Sequence, residues 1–281
     1  MLGELHLEWV NIVLEPNQAA SGDLHQRRGL RWMQWVLPFA VLAAALTLWA
    51  LVAGLQLLPE SVFPPLSQIA RGFVHEAASG RLIGDIIASL FRVGVGFTLA
   101  ILIGLPLGLW MGVSVASRTA LLPYVNFLRN LSPLAWIPFA MLAFGIGDAP
   151  AIFLVFMAAV FPLSLSAMSA VASVPAVYFN VAREYEITGF RKWREIVLPA
   201  IAPQIITALR VTGGISWLVV VAAEMLGCQD GLGFAVWDSR NGLRVDLLVV
   251  AVIMIGLIGV LMDHVLVRLT FIPSVRWGYE R

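Results

Sequence analysis

The chain is poor in the residues that carry most chemistry. Among its 281 residues there is one cysteine, Cys228, one lysine, Lys192, and four histidines, His6, His25, His75 and His264, on separate segments. A lone cysteine forms no internal disulfide and reads as a small apolar filler. No HExxH or Cys/His ligand spacing occurs, so no metal site is expected, and there is no GxSxG nucleophile elbow. Lys192 follows Arg191, which excludes a GxxxxGK[ST] phosphate loop. The chain is therefore expected to have no catalytic residues, to bind no nucleotide in that manner and to carry no cofactor of its own. No internal repeat and no low-complexity linker marks a second domain.

Charge is also scarce. Charged residues make up 12% and hydrophobic residues 60%, against about 25% and 45–50% in soluble domains. This is the composition of a polytopic membrane protein. Apolar runs read as six helices near 32–56, 87–113, 122–144, 150–172, 203–226 and 245–270, each close to the roughly 20 residues that cross a hydrocarbon core. The apolar–polar alternation of barrel strands is missing, so the expected fold class is all-α.

The few basic residues orient the chain. With both termini on the cytoplasmic side, the inner segments hold Arg27, Arg28, Arg31, Arg118, Arg183, Arg191, Lys192, Arg194, Arg268, Arg276 and Arg281, and the outer ones only Arg71, Arg81, Arg240 and Arg244. The net charge of +1 is spread along the chain, which argues against a nucleic-acid partner. This divides the chain into a cytoplasmic N-terminal segment 1–31, a membrane domain 32–270 and a cytoplasmic tail 271–281. Leu2, Leu5, Trp9, Ile12 and Val13 recur at helical spacing, so Met1–Leu14 reads either as an amphipathic surface helix or as a poorly ordered tail. It is not read as a secretory signal, because acids come first and the next apolar run is long enough to span.

One charged island interrupts the oil. Ala149–Ala182 contains no Asp, Glu, Lys or Arg, and Ile196–Gln229 contains only Arg210 and Glu224. Between them stand Arg183, Glu184, Glu186, Arg191, Lys192, Arg194 and Glu195. Gly189 reads as the helix C-cap between two short helical runs, with Pro199 and Pro203 opening the next apolar segment. The island, residues 178–199, is expected to be a cytoplasmic helix–turn–helix that touches another protein. The plain alternative is a solvated loop obeying the positive-inside rule.

Within and beside the spans lie Arg92, Arg129, Arg210 and Glu224. An anion path would use such arginines, because unpaired ions are costly in hydrocarbon; structural pairing or snorkelling is the competing reading for each. Glu224 has the wrong sign for an anion and reads as an arginine's partner or a helix-end group. Pro123, Pro133 and Pro138 in the third span and Pro162 in the fourth are breaks that free backbone groups to line a cavity. Trp136 and Trp217 read as cavity walls or as packing anchors.

The island with Leu198-Pro199 and Pro203, together with Ser89–Phe97 (SLFRVGVGF), Leu128–Pro138 (LRNLSPLAWIP), Phe161-Pro162 and Ala222–Glu224, resembles the permease subunits of bacterial ATP-binding-cassette importers, in their nitrate, sulfonate, taurine and bicarbonate branch. The resemblance runs from about Pro64 to Arg268. It implies the type I importer permease fold in the inner membrane, a small oxyanion as cargo, and ATP and Mg on a separate ATPase subunit. It further implies a periplasmic or lipid-anchored binding protein and a second permease copy as partners. The island then corresponds to the EAA loop, with Ala182, Arg183, Glu184, Tyr185, Glu186, Gly189, Lys192 and Trp193 as ATPase-coupling residues. Counted back from Leu198-Pro199, the family's glycine falls on Glu186, a departure from the motif. Gly231–Asp238 (GLGFAVWD) resembles nitrate and bicarbonate members more, whereas Arg276-Trp277 resembles sulfonate members. An ion-coupled secondary transporter or a membrane enzyme would need paired mid-membrane ionisable groups, a repeat or a nucleophile–base set, none of which is evident.

Overall fold

The computed structural model describes residues 19–55, 59, 62–268 and 270, with side chains from residue 36 onward. The segment Met1–Leu14, expected to lie on the membrane surface, and the tail 271–281 fall outside the described residues. The chain divides into two units, one up to Leu66 and one from Ser67.

The first unit is dominated by helix α1, Ala19–Gly54, whose Val36–Gly54 stretch is long and apolar enough to cross a membrane. Its large side chains from Val36 to Leu51 are mostly exposed, as lipid-facing side chains are. Trp49 fixes the segment that follows: its Nε1 donates to the Pro64 carbonyl at 3.1 Å and its ring stacks on Phe63 at 4.3 Å.

The second unit opens with α2, Leu66–Ala78, and the long helix α3, Arg81–Val113. After a turn capped by Ser114, α4 runs from Val115 to Asn130. A short 3-10 turn, Pro133–Trp136, leads into α5, Ile137–Phe144, and then into α6, Asp148–Ala172. The island forms α7, Ala176–Glu184, and α8, Gly189–Lys192, and joins α9, Leu198–Gly227, through one turn of π-helix at Trp193–Val197. Helices α10, Leu232–Asn241, and α11, Val245–Arg268, complete the unit.

Among the described residues, five helices are long and apolar enough to span, and a sixth crossing is available if the bent pair 115–130 and 133–144 counts as one. That pair corrects the expected continuous span 122–144. The helix begins earlier, at Val115, and the chain turns through 86° at the break. The cause is local: Ser132 precedes Pro133 and adopts φ −60°, ψ 125°, the extended conformation that a following proline ring enforces.

Helices α3 and α6 form the keel of the unit. Gly96, Ala100, Gly104, Gly108 and Gly112 recur every fourth residue and line one face of α3. A Cβ at Gly96, Gly104 or Gly108 would lie 2.7, 2.7 or 2.2 Å from the backbone carbonyl oxygen of Ile152, Val160 or Ser164. Only glycine lets two backbones approach this closely. In lipid, where tails are as apolar as leucine, such contact replaces the hydrophobic effect as the force holding helices together. Helix α9 packs on the other side of α6, with Leu154, Ala151, Ala223 and Ile137 in one cluster and Ala170, Val171, Val197 and Ile201 in another.

Candidate functional site

The island lies at the end where α6 stops and α9 begins. Its first helix, α7, ends in a two-bond cap: the Glu186 N–H donates to the Arg183 carbonyl at 3.1 Å and the Ile187 N–H to the Ala182 carbonyl at 2.8 Å. This requires a left-handed residue, and Glu186 supplies it with φ 53°. The expected C-cap at Gly189 is thus corrected. Gly189 has φ 59° and instead begins α8. The π-turn that follows lies directly before Pro199, whose ring would clash with the Glu195 carbonyl in regular α-geometry.

Burial sorts the island residues into those that hold it and those that it presents. Ala182 and Val197 are buried, and Trp193 packs with Phe179 on the Ala170, Val171 and Ile201 cluster. Trp193, one of the coupling residues implied by the resemblance, therefore packs the island onto the bundle. Lys192 Nζ sits 4.6 Å above the Phe179 ring. Presented outward are Tyr185, 75% exposed, and Phe190, 79% exposed, among the exposed Arg183, Glu184, Glu186 and Arg191. Arg191 pairs with Glu195 one turn away at 3.0 Å. Phe190 escaped the sequence reading because a single aromatic among charges looks like any loop residue.

The opposite end holds an ion cluster with the buried Arg92–Glu224 pair at its centre and the exposed Asp148 and Asp230 at its edge. Arg92, 2% exposed, donates from Nη1 to Glu224 Oε1 and to the Asp230 carbonyl, both at 2.9 Å, and from Nη2 to the Asp230 carboxylate. Asp148 Oδ1 lies 2.7 Å from its Nε and Nη2. Glu224, fully buried, accepts on Oε2 from Ser89 Oγ and from the Gly233 N–H, both at 2.9 Å. Ser89 Oγ in turn accepts from the Leu232 N–H, and Asp85 from the Gly231 N–H. One guanidinium thus joins α3, the start of α6, the end of α9 and the loop into α10. That loop needs its glycines: Gly231 has φ 100°, and a Cβ there would meet Arg92 Nη1 and Glu224 Cδ at 2.6 Å. Next to the cluster, Cys228 is buried, and burial pushes its thiol up to about 11. Arg81 bridges α3 to Asp238 of α10 at 2.7 Å and holds that carboxyl below the usual range, with Arg244 adding a contact at 3.1 Å.

The expected path residues separate accordingly. Glu224 is an arginine's partner, as read, and Arg92 is that arginine. Arg210 binds Asp263 of α11 through two bonds of 2.6 and 2.8 Å. Trp217 is packing: its Nε1 donates to the Ile255 carbonyl at 3.1 Å, and Gly259 makes room for its ring. Trp136 contacts Phe139 and Phe153 edge-on at the helix break. Arg129 lines an open cavity between α4, α6 and α9. Asp85 and Ser89 were not singled out from the sequence, although with Arg92 they stand at i, i+4 and i+7 on one helical face.

Comparison with known proteins agrees with this architecture. Residues 104–272 match the family model described as binding-protein-dependent transport system inner membrane component. The chain is 39% identical over 182 residues to the nitrate import permease protein NrtB of Leptolyngbya laminosa, and the match covers 65% of each chain, a little under two thirds of that relative. It is 34% identical over 239 residues to NrtB of Synechocystis, covering 82% of this chain and 86% of that one. The bicarbonate transport system permease protein CmpB of Synechococcus elongatus is 39% identical over 179 residues, covering 63% of this chain and 64% of that one. Among solved structures, a chain of the MetNI methionine ABC transporter in an inward facing conformation superposes with a TM-score of 0.56 at 21% identity, covering 67% of this chain and 96% of that one; this likeness shows the fold. The chain belongs to the binding-protein-dependent transport system inner membrane component family.

Proposed function

We propose that this chain is the transmembrane permease subunit of an ATP-driven importer for a small oxyanion, with nitrate or bicarbonate favoured over sulfonate or taurine. The observation that carries the reading is the island: a short capped helix presenting Tyr185 and Phe190 outward while Ala182, Trp193 and Val197 seat it on α6 and α9. Exposed aromatics within a charged rim have the make-up of a transient docking surface. Its partner in this reading is a separate ATPase subunit that carries ATP and Mg and receives the island in a groove. Lys192 and Arg183 belong to the rim, and Glu184 with Glu186 to its acidic side.

The geometry supports a way for the signal to travel. Helix α6 starts at the ion cluster and ends at the island, and α9 returns from the island to the cluster. A push on the island by a closing ATPase dimer would thus be carried by two rigid helices to the far end, where a binding protein would deliver cargo. Two ATPase grooves require two islands, hence a homodimer of permeases. Residues 32–270 form the membrane domain in this reading, with the island and both termini in the cytoplasm.

The test is a reconstituted complex with its ATPase and binding protein. Tyr185→Ala combined with Phe190→Ala should lower binding-protein-stimulated ATP hydrolysis and uptake together, while membrane insertion is unchanged. Truncating such anchors commonly costs about 1–4 kcal/mol of association. Wild-type uptake and hydrolysis in the double variant would refute docking through the island. A complex with one permease copy per two ATPases would refute the homodimer.

A further inference from the structure

Arg129 differs from Arg92 and Arg210. Arg92 is enclosed by carboxylates and Arg210 grips Asp263. Arg129 makes no ion pair and no side-chain hydrogen bond among the described residues. It lies in the last turn of α4, beside the 86° break, and borders a cavity of about 450 Å³ between α4, α6 and α9. A guanidinium inside a membrane domain is costly without a counter-charge or water, and irregular backbone there is tolerated where it lines a cavity.

The rest of the lining mixes the apolar Pro162, Leu165, Ala208 and Val211 with polar side chains. Ser166 and Ser169 come from α6 and Gln204 from α9. Neither serine hydroxyl donates to another described residue. The Gln204 amide lies 3.0 Å from Ser173 Oγ, whose single proton is shared with the Ala170 carbonyl at 2.8 Å, and in either amide orientation its NH2 keeps an N–H that this contact does not use. No carboxylate lines the cavity. One fixed positive charge, a fork of N–H groups and several neutral donors suit an anion with two or more acceptor oxygens and repel a cation. A particle of about four or five heavy atoms fills only part of this space, so it keeps some of its water. Such a site passes cargo on rather than trapping it.

We propose that this cavity is a transit site for a small oxyanion, with Arg129 as its charge and Ser166, Ser169 and Gln204 as the donors that complete coordination. The proposal rests on the importer reading above and adds the place where the cargo pauses.

The test uses Arg129→Cys and Arg129→Gln in the full complex, reconstituted with ATPase and binding protein. The probes are labelled nitrate, bicarbonate and methanesulfonate. Uptake should fall about tenfold or more, as losing one charge-assisted contact implies, while binding-protein-stimulated ATP hydrolysis falls less than twofold. Attaching a cationic aminoethyl group to the introduced thiol of Arg129→Cys through a methanethiosulfonate should recover uptake, and a neutral methyl group should not. The native thiol, Cys228, is buried and does not compete. Near-wild-type uptake in both variants, equal loss of uptake and hydrolysis, or recovery by the neutral reagent would each overturn the proposal. If the wild-type complex imports none of the three anions and shows no stimulated hydrolysis, the importer reading itself falls. The anion whose uptake depends on the charge identifies the cargo.

Discussion

Glu224→Gln is the sharpest test of the ion cluster, because it changes almost no volume. Both carboxylate oxygens act as acceptors: Oε1 from Arg92 Nη1, and Oε2 from Ser89 Oγ and the Gly233 N–H, all at 2.9 Å. A glutamine must place its NH2 on one side or the other. Facing Arg92, it sets donors against a guanidinium. Facing Gly233, it sets them against a backbone N–H that cannot reverse, although the Ser89 hydroxyl can turn. Either rotamer loses a charge-assisted bond, about 1.5–3 kcal/mol, and leaves a buried donor unpaired, about 1–3 kcal/mol more. A cost of about 3 kcal/mol lowers the melting midpoint by about 6–12 °C at this chain length. Tryptophan fluorescence reads it, and Ser89→Ala, which takes one bond from Glu224 Oε2 and strips the buried Leu232 N–H of its acceptor, should lower the midpoint by a comparable amount. A glutamine variant melting within about 2 °C of wild type would refute the assigned pattern of donors and acceptors.

Three further outcomes follow from the same geometry. Gly108→Ala places a methyl 2.2 Å from the Ser164 carbonyl oxygen and should destabilise by about 1–3 kcal/mol; Gly94→Ala, with nothing within 4 Å, should stabilise by about 0.5–1 kcal/mol. Thermal melts of the pair give opposite signs, and equal signs would contradict the α3–α6 contact. Glu186→Gly relieves a left-handed backbone worth about 1 kcal/mol and should slow amide exchange of Ile187 roughly fivefold, whereas Glu186→Val should accelerate it. The Asp238 carboxyl is held below its ordinary range by Arg81, so its contribution is complete above an ordinary carboxylate pKa of about 4 and is lost as pH falls through the depressed value. Exchange protection of 238–244 should be flat from neutral pH down to about 5 and decline only in stronger acid; Asp238→Asn should remove that acid dependence.

Much of this was legible in the sequence, and the illegible parts have physical reasons. Apolar run length revealed the spans, since lipid tolerates little else, and Ser132-Pro133 announced the break because a proline restricts its predecessor. The glycines of α3 stand at four-residue spacing, but hydropathy marks a span without saying which face meets a neighbour. Arg92 was visible as a charge in oil. Its partners Glu224 and Asp230 lie 132 and 138 residues away, beyond any local pattern. Glu186 was the hardest: left-handed backbone runs against the preference of glutamate, and two cap bonds to Ala182 and Arg183 override it. Arg129 could be nominated but not distinguished from Arg92 and Arg210, because all three look alike until their carboxylates are found or missed.

The glycine face of α3 limits how the protein can move. From Gly96 to Gly108 the two backbones approach repeatedly over about 18 Å, with no side chain on α3 to hold them apart at the glycines. Helices in such contact tilt together or not at all. In the proposed importer, motion between an outward-open and an inward-open form would be taken up where the chain already departs from regular helix: the joint at 131–136 and the widened turn before Pro199. In that reading a proline and a π-turn at these two places are the hinges, and the glycine face is the spar between them.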